Sequence, residues 1–353
     1  MKFLYRTLVV LLIATLLMPN ISFAGNKDRQ GQAGGAELMI NPWPRSSGWG
    51  NANMASVKGI EALWGNVAGA AFTKRTQLQF AYTDWMKGTG TNIIAFGLTQ
   101  KVGEAGALGL QVMSMNFGEV EITTTNSPDG GVGTYKPNLM NFSISYSKAF
   151  SNSIYAGVLV KLISESIADI NGFGIALDIG IQYVTGENDQ MAFGIALKNL
   201  GPKMSFSGDG LSIRSLLPGQ STLFTTEQRS MPFELPAQLN IGASYAFLMP
   251  AENKITLAGN FTSNSFSRDQ FVLGLEYSFK EIFVIRAAYT YENGMWDDIY
   301  TPQNTNVNNG LSAGISLALP LNKEKGTYIG IDYAFRQTVV FNNNHTLGLI
   351  FNF

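Results

Sequence analysis

Apolar and polar residues alternate along most of the chain with a period of two. In the stretch DQFVLGLEYSF, Phe271, Leu273 and Leu275 fall on one side, whereas Gln270 and Glu276 fall on the other. This alternation predicts a β-strand with one apolar and one polar face. Segments of about ten residues with this pattern have the length of a tilted strand that crosses a lipid bilayer.

Fourteen segments carry the pattern, and we predict a strand for each. By number they are 76–86, 91–101, 106–117, 139–150, 153–164, 172–184, 190–200, 236–248, 253–263, 269–280, 282–292, 309–320, 327–336 and 344–353. An even number suits a closed single-chain bacterial barrel whose two ends lie on one side. Closure is required in lipid because an open sheet edge would leave backbone groups unpaired.

The predicted connections differ in length with strand parity. Those after even-numbered strands are short, such as GEAG and SN, whereas the three longest, at about 118–138, 201–235 and 293–308, follow odd-numbered strands. Short periplasmic turns and long outer loops are typical of outer-membrane barrels. The sequence therefore predicts an all-β fold, a transmembrane antiparallel β-barrel of about 14 strands. The terminal Phe353 on the apolar face of the last strand resembles the C-terminal signal of such barrels.

The first residues have the composition of an export signal. Lys2 and Arg6 precede the apolar run TLVVLLIATLLM, and the SFA that ends at Ala24 has small residues at the two positions that a signal peptidase reads. A transmembrane helix would need roughly 20 apolar residues. The predicted division is a cleaved signal peptide at 1–24, a leader and plug segment at 25–75, and an outer-membrane barrel at 76–353.

Composition excludes several classes of function. Charged residues make up only 14% of the chain, aromatic residues 12%, and there is no Cys. Without Cys there is no disulfide or thiolate metal site, and a single His345 excludes a His-based triad or a His-rich metal site. The net charge of −1 gives no electrostatic reason to expect nucleic acid as a partner. We therefore predict a protein that is not an enzyme and has no cofactor and no nucleic-acid partner.

The polar faces of the predicted strands carry several charged residues. They are Asp178, Lys198, Glu276, Arg286 and Asp332. We interpret them as solvated or mutually paired side chains of the lumen rather than as catalytic groups. Asp178 and Glu276 are conceivable as an acid/base pair, but nothing in their spacing supports that role.

The stretch GIEALWGNVAGAA contains the G-x-x-x-G of Gly65 and Gly69. A phosphate-binding loop would need a Gly-Lys-Ser/Thr or G-x-G-x-x-G pattern, and helix dimerisation would need an apolar segment of about 20 residues; neither is present. The remaining interpretation is a plug of small residues in the barrel mouth, where Gly and Ala allow close backbone approach. We expect residues 25–75 on the periplasmic side, with the polar, Gly-rich GNKDRQGQAGG as a flexible leader.

Both ends of the chain resemble a known family. The stretch AELMINPWPRSSGWGNANMASVKGIEALWGNVAGAAF is similar to the N-terminal segment of the PorV/PorQ family of Bacteroidetes outer-membrane proteins, which has a Pro and Arg, a G-x-G and then W-x-N-P-A-G. The matching residues are Pro44, Arg45, Gly48, Gly50, Trp64, Asn66, Ala68 and Gly69. Val67 stands where the family usually has Pro. GIDYAFRQTVVFNNNHTLGLIFNF resembles the last hairpin of the family, which is related in architecture to the plugged FadL fatty-acid porins.

The resemblance implies a role in type IX protein secretion. PorV-like members bind the translocon and the C-terminal domains of cargo, and PorQ-like members are anchors in the attachment complex. AELMINPWPRSSGWG is closer to PorV, although the branch stays open. The partners implied are the outer-membrane bilayer and either a translocon barrel, cargo C-terminal domains or attachment-complex proteins.

Three classes of function remain open, and a secretion component is the first. The second is a FadL-type transporter of hydrophobic solutes such as long-chain fatty acids. It would need an apolar pocket in the lumen, and the Ser, Gly, Asn and charged residues on the inward faces argue against one. The third is an adhesin, a motility factor or an enzyme, and a hydrolase would need a base other than His345.

Loop 201–235 contains the apolar stretch LSIRSLLPGQSTLF. Its candidate partner-binding residues are Leu211, Ile213, Leu216, Leu217 and Leu223. Exposed on a long outer loop, they would form a docking patch. The alternative is that the loop folds inward and fills the lumen, and the sequence favours neither.

Overall fold

The structure, a computed structural model, describes residues 25, 27–219, 221–295, 306–322, 326–339 and 341–353. The predicted signal peptide lies outside these residues. Within them, no helix is both long enough and apolar enough to cross a membrane.

Fourteen antiparallel strands form one closed sheet. In chain order they are β1 Thr76–Asp84, β2 Asn92–Val102, β3 Gly106–Asn116, β4 Asn138–Ala149, β5 Ile154–Ile167, β6 Ile170–Thr185, β7 Met191–Leu200, β8 Gln238–Met249, β9 Asn253–Asn264, β10 Gln270–Phe279, β11 Phe283–Glu292, β12 Gly310–Asn322, β13 Thr327–Arg336 and β14 Asn344–Asn352. β1 pairs with β14 from Gln77–Asn352 to Asp84–His345, and this pairing closes the barrel. Every predicted strand is present, with bounds within three residues of the prediction.

The connections define two ends of the barrel. Those after even-numbered strands span at most five residues, as in 186–190, and we call this end the turn end. The opposite end, here the loop end, carries 117–137, 201–237 and 293–309. These loops contain short strands. Val120–Glu121 pairs with Thr134–Tyr135, and Phe206–Ser207 pairs with β6. Ser212–Leu216 forms a hairpin with Leu223–Glu227. The predicted sorting of connections by strand parity is confirmed.

The outer face of the barrel is apolar. On β10, Leu273 is 62% exposed on the outside, whereas its neighbour Val272 is 6% exposed inside. The outward positions of the other strands are occupied in the same way, for example by Ile195, Ile315 and Leu347. A closed sheet with an apolar outer band is the architecture of a membrane β-barrel, because lipid can surround it without contacting an unpaired backbone group. The predicted fold class is confirmed.

Residues 25–75 fold into short helices inside the barrel. They are Lys27–Arg29, Ala36–Met39, Pro44–Gly48, Ala52–Ala55, Gly59–Leu63 and Val67–Phe72, of which Pro44–Gly48 is α-helical and the others are 3₁₀. A further 3₁₀ turn, Asp209–Leu211, lies in the long loop. Six short helices instead of one long helix suit the many Gly and Ala residues, which let the backbone turn within the narrow lumen.

The path of this segment differs from the periplasmic leader that the sequence suggested. The backbone N–H of Gly25 donates to Asp269, in the loop-end connection 265–269, at 2.7 Å. Gly34 donates to the carbonyl of Glu234 at 3.1 Å, also at the loop end. Phe72 stacks on Tyr155 beside the turn 150–153, with ring centroids 4.0 Å apart. The segment therefore runs the length of the lumen, from the loop end to the turn end, because backbone pairing with loop 201–237 holds its polar first part.

The buried core lies between this segment and the barrel wall. Trp43, Ile60 and Leu63 pack against Leu159 and other small inward residues of the strands. We call residues 43–73 the plug. Its packing is close because a Cβ at Gly48 would lie 2.8 Å from the Cα of Gly314 on β12. Only glycine permits that backbone contact.

Candidate functional site

A buried carboxylate holds the first turn of the plug. Glu61 accepts hydrogen bonds from the backbone N–H groups of Arg45 at 3.0 Å and Ser46 at 2.7 Å, and from Ser46 Oγ at 2.6 Å. Gln79 of β1 adds a fourth donor at 3.2 Å. The backbone amides of Arg45 and Ser46 lie at the start of helix Pro44–Gly48 and would otherwise be unpaired. Glu61 therefore caps the helix, and its bond with Gln79 ties it to the barrel wall.

An ion pair links the plug to β13. Arg45 Nε donates to both carboxylate oxygens of Asp332, at 2.9 and 3.0 Å. Asp332 is 1% exposed, so the pair is shielded from solvent on the barrel side. Burial alone would lower the pKa of Arg45, but Asp332, Tyr328 and Glu61 together outweigh it and hold that pKa above its ordinary value. Arg45 is therefore a fixed positive charge at the base of the plug.

Asn66 and Trp64 attach the far side of the plug. Asn66 Nδ2 donates to the backbone carbonyls of Ile181 on β6 at 3.0 Å and Ile195 on β7 at 3.4 Å, and its Oδ1 caps the helix Val67–Phe72. The ammonium of Lys198 lies 3.3 Å from the centroid of the Trp64 ring, a cation–π contact. The resemblance had singled out both plug residues, and the structure places them against the same wall.

The remaining motif positions are sites of close approach. Pro44 opens its helix beside Gly348. Gly50 has a φ of 58° and lies beside Ser312, and a side chain at Gly69 would collide with the carbonyl of Val57. These residues shape the plug and carry no reactive group.

Four of the five inward charges that the sequence marked are paired, whereas Lys198 is buried and its Nζ has no hydrogen-bond partner within the described residues. Lys161 Nζ lies 2.6 Å from Asp178, and Arg286 Nε lies 2.6 Å from Glu276. Asp178 and Glu276 thus belong to separate ion pairs and do not form an acid/base pair with each other. In the described part of the chain, no group of three or more His, Cys, Asp or Glu residues is placed to hold a metal ion.

A cavity of about 450 Å³ lies on the loop side of the plug. Its wall is rich in aromatic and thioether side chains, and these are Met39, Met54, Trp64, Trp85, Met86, Met115 and Phe117. We call it the loop-side cavity. The sequence-based expectation of a polar inward face is wrong at this level, since Ile93, Met113 and Met115 point inward and are buried. The reason is that these strand ends pack against loop residues and the plug instead of facing water.

One acidic group lines the loop-side cavity. Glu37 is 2% exposed, and its Oε1 has no hydrogen-bond partner within the described residues. Burial, followed by the nearby Glu165 carboxylate, raises the pKa of Glu37 to about 7. Nothing in the sequence pattern had marked this residue.

A second cavity, of about 340 Å³, lies on the turn side of the plug. Its wall is polar and includes Lys58, Gln182, Lys254 and Glu276. We call it the turn-side cavity. The two cavities meet the plug on opposite faces of the stretch 49–55, because Gly50, Asn51 and Met54 line the first and Trp49, Asn53 and Ala55 line the second.

Loop 201–235 divides between the two arrangements that the sequence left open. Its base folds inward, where Met204 and Leu235 are buried against Leu38 and Ile163. Its hairpin points outward, and the apolar residues exposed there are Ile213, Leu216, Leu217 and Leu223. Leu211, at the foot of the hairpin, is half-buried. The candidate docking patch is therefore largely exposed. The parts of the loop that fold into the lumen lie before and after this patch in the sequence.

Comparison with known proteins gives matches at the level of structure. No protein-family model matches the chain, and no curated protein sequence matches it. The toluene transporter TbuX of Ralstonia pickettii is 12% identical with a TM-score of 0.52, over 89% of this chain and 99% of TbuX. The Pseudomonas putida toluene transporter TodX gives 10% and 0.52 over 88% and 97%, and the monoaromatic hydrocarbon channel CymD gives 13% and 0.51 over 88% and 97%.

This chain shares their fold. Identity this low establishes the barrel architecture and nothing finer. The PorV/PorQ resemblance of the two chain ends gains no support from these neighbours.

Proposed function

We propose that the protein is an outer-membrane channel for small hydrophobic solutes, exported by a cleaved signal peptide at 1–24. The observation that carries the proposal is the loop-side cavity, with its wall of Trp, Met and Phe side chains above the plug. A diffusion pore for polar solutes would instead have a polar wall. An apolar solute gains about 25 cal/mol for each Å² of apolar surface that it removes from water.

The size of the loop-side cavity fits this role. Small-molecule sites enclose roughly 300–1,000 Å³ and have mostly apolar walls with a few polar groups, and about 450 Å³ lies within that range. Unbranched Met side chains adapt to the shape of a bound solute, and aromatic rings offer flat faces to another ring. The names of the similar structures add a substrate class to the proposal, monoaromatic hydrocarbons.

The plug then separates binding from release. A solute held above the stretch 49–55 meets the polar turn-side cavity on the other face. Displacement of that stretch would join the two cavities, and the solute would move from the apolar loop-side cavity into the polar turn-side cavity. Passage thus requires movement of a few residues of the plug and leaves the barrel unchanged.

A pair of adjacent substitutions tests the proposal. Leu139 lines the loop-side cavity, whereas Met140, the next residue on β4, points outward and is exposed. Leu139→Trp should fill part of the cavity and reduce uptake of toluene by cells that depend on this protein. Met140→Trp adds the same ring on the lipid side and should leave uptake unchanged. Equal uptake by both variants at equal amounts of folded protein would refute transport through the cavity.

A second candidate function rests on the exposed hairpin 212–227. It is the type IX secretion role implied by the resemblance, in which the apolar residues of the hairpin hold a translocon barrel or a cargo C-terminal domain. Leu216 is 60% exposed, as a docking anchor would be in the absence of its partner. Replacing 209–229 by a short Gly/Ser linker keeps the inward-packed base at Met204 and Leu235. That variant should lose capture of the β-domain if this role holds, and retained capture would exclude the hairpin.

A further inference from the structure

We propose that the loop-side cavity selects hydrophobic amines, that is, solutes with a protonated amino group on an aromatic or short aliphatic body. The inference rests on the proposed function, since it names a substrate class for the same cavity. It depends on three features of the wall: a buried carboxyl with one unpaired oxygen, the charges around it, and a positive charge on the opposite side.

The buried carboxyl is that of Glu37, and of its two oxygens only Oε1 is without a partner within the described residues. Glu37 lies in the short helix Ala36–Met39, lines the cavity and is nine-tenths buried or more. A buried acceptor without a partner is unfavourable, and more so when it is charged. An ammonium group in the cavity would supply the missing donor and charge together.

The charges near Glu37 leave this wall negative. Glu165, on β5, is a second carboxyl beside it and is hydrogen-bonded to the backbone of Gly35. Lys161 is the basic group on the same strand, but its ammonium is held by Asp178 at 2.6 Å and by Asn199 Oδ1 at 2.6 Å. The amide of Asn141, on β4, carries no charge and is a hydrogen-bond partner of the Glu37 carboxyl. Two carboxyls thus face one lysine whose charge is already balanced, so a cation is the complementary ligand.

The positive charge on the opposite side orients the ligand. Arg336, at the end of β13, also lines the cavity, and its Nη2 donates to the carbonyl of Asn308 at 3.4 Å. Four strands, β14 and β1 to β3, separate β13 from β4 around the barrel. An amine is repelled from Arg336 and drawn to Glu37, and its apolar body then lies among the aromatic and thioether side chains of the wall, such as Trp85 and Met115.

Three solutes with the same ring separate the possibilities. The purified full-length barrel in detergent is titrated at pH 8 with 2-phenylethylamine, ethylbenzene and phenylacetate, and binding is measured by calorimetry and by the fluorescence of the cavity tryptophans. We expect the amine to bind at least about tenfold more tightly than ethylbenzene, a ratio that corresponds to ~1.4 kcal/mol. Phenylacetate should bind more weakly than the amine. Tighter binding of phenylacetate would place recognition at Arg336 and overturn the inference.

The substitution Glu37→Gln removes the charge and keeps the shape. It should bring the affinity for 2-phenylethylamine down to that for ethylbenzene and leave the ethylbenzene value unchanged. The control Glu119→Gln removes an exposed loop-end carboxylate, which is paired with Lys136, and should change neither value. An amine preference that survives Glu37→Gln would also overturn the inference.

The unmodified protein provides a second measurement that does not depend on a variant. Glu37 loses its proton as the pH rises through about 7, while the amine stays protonated. Affinity for 2-phenylethylamine should therefore fall from pH 8 to pH 6, and affinity for ethylbenzene should stay constant. A flat profile for the amine refutes recognition by Glu37. Binding of ethylbenzene with no amine preference would refute only this inference, whereas no binding of any of the three solutes would refute the proposed function as well.

Discussion

The two halves of the N-terminal segment are held in the lumen in different ways. The plug, residues 43–73, is tied by the shielded pair Arg45–Asp332, by the donors around Glu61 and by backbone contacts that only glycine allows. The first half, residues 27–40, has the pair Arg29–Glu234, in which both side chains are 39% exposed. One half is fixed by buried polar contacts, whereas the ion pair of the other half is weakened by solvent, and that half is held by Leu38 and by backbone pairing with loop 201–237.

This difference matches the two cavities. The fixed half closes the barrel above the polar turn-side cavity. The less firmly held half carries Glu37 and Met39, which form part of the wall where solute is proposed to bind. A binding wall that adjusts, next to a plug in which only the stretch 49–55 is proposed to move, lets solute enter without opening the barrel. The predictions below test this contrast, in order of expected effect.

Arg45→Gln should have the largest effect. It leaves Asp332 buried without its partner, a change that destabilises by about 3–5 kcal/mol at buried sites and somewhat less here because Arg45 is partly exposed. The readout is the urea concentration at which acrylamide begins to quench the plug tryptophans, while gel mobility without boiling reports the barrel. The matched variant is Arg29→Gln, which breaks the exposed pair and should cost under about 1 kcal/mol. Similar shifts for the two variants would remove the contrast between the halves.

Glu37→Gln should change the pH dependence of stability. The pKa of Glu37 is raised from 4.5 to about 7, so its protonated form is favoured in the folded state. Its contribution is fully present below pH 4.5 and is lost as the pH rises through 7, by up to about 3 kcal/mol at 1.36 kcal/mol per pKa unit. The urea midpoint of the unmodified protein should therefore be lower at pH 8 than at pH 5, and Glu37→Gln should reduce that difference. An unchanged difference would show that Glu37 is not the titrating group.

Gly48→Ala should have the smallest effect of the three. The new methyl would lie 2.8 Å from a backbone atom of Gly314, so the plug must shift, and such overpacking costs about 1–3 kcal/mol. We expect a less firmly seated plug and a higher ion conductance in planar bilayers. Gly259→Ala is the control, since its methyl would meet no atom nearer than 3.7 Å. Conductance that matches the unmodified protein in both variants would mean that the plug seals without close packing.

The barrel itself was predictable because lipid imposes a simple rule on each strand. An outward position must be apolar and every second position faces inward, so the pattern in DQFVLGLEYSF or NGLSAGISLAL marks a strand with no knowledge of its neighbours. The lengths of the connections then indicated the order of the strands and distinguished the two ends of the barrel. These are local properties of the sequence, and the structure reproduces them.

The interior depends on contacts that are distant in sequence. Arg45 and Asp332 are 287 positions apart, and no local pattern pairs them. Glu37 is buried by strands that begin more than a hundred residues later, so its sequence context resembles that of an exposed residue in a polar leader. A weaker signal for the loop-side cavity was present: in NIIAFGL both faces of the strand are apolar, and in QVMSMN the inward face carries Met113 and Met115, which a water-filled lumen does not explain.

The route of residues 25–75 also constrains how the protein is assembled. β1 and β14 meet through pairs such as Gln77–Asn352, the most distant strand partners among the described residues, so this seam forms only after the last strand has been made. The N-terminal segment lies along the lumen with its first residues at the loop end. It must therefore be enclosed while β1 and β14 pair, because proteins avoid threading a free end through a finished barrel. A tag of a few residues ahead of Gly25 would emerge beside loop 265–269, at the loop end of the barrel. A folded domain fused at the same point would be trapped inside the barrel as β1 and β14 pair, and it would stop insertion of the barrel into the membrane.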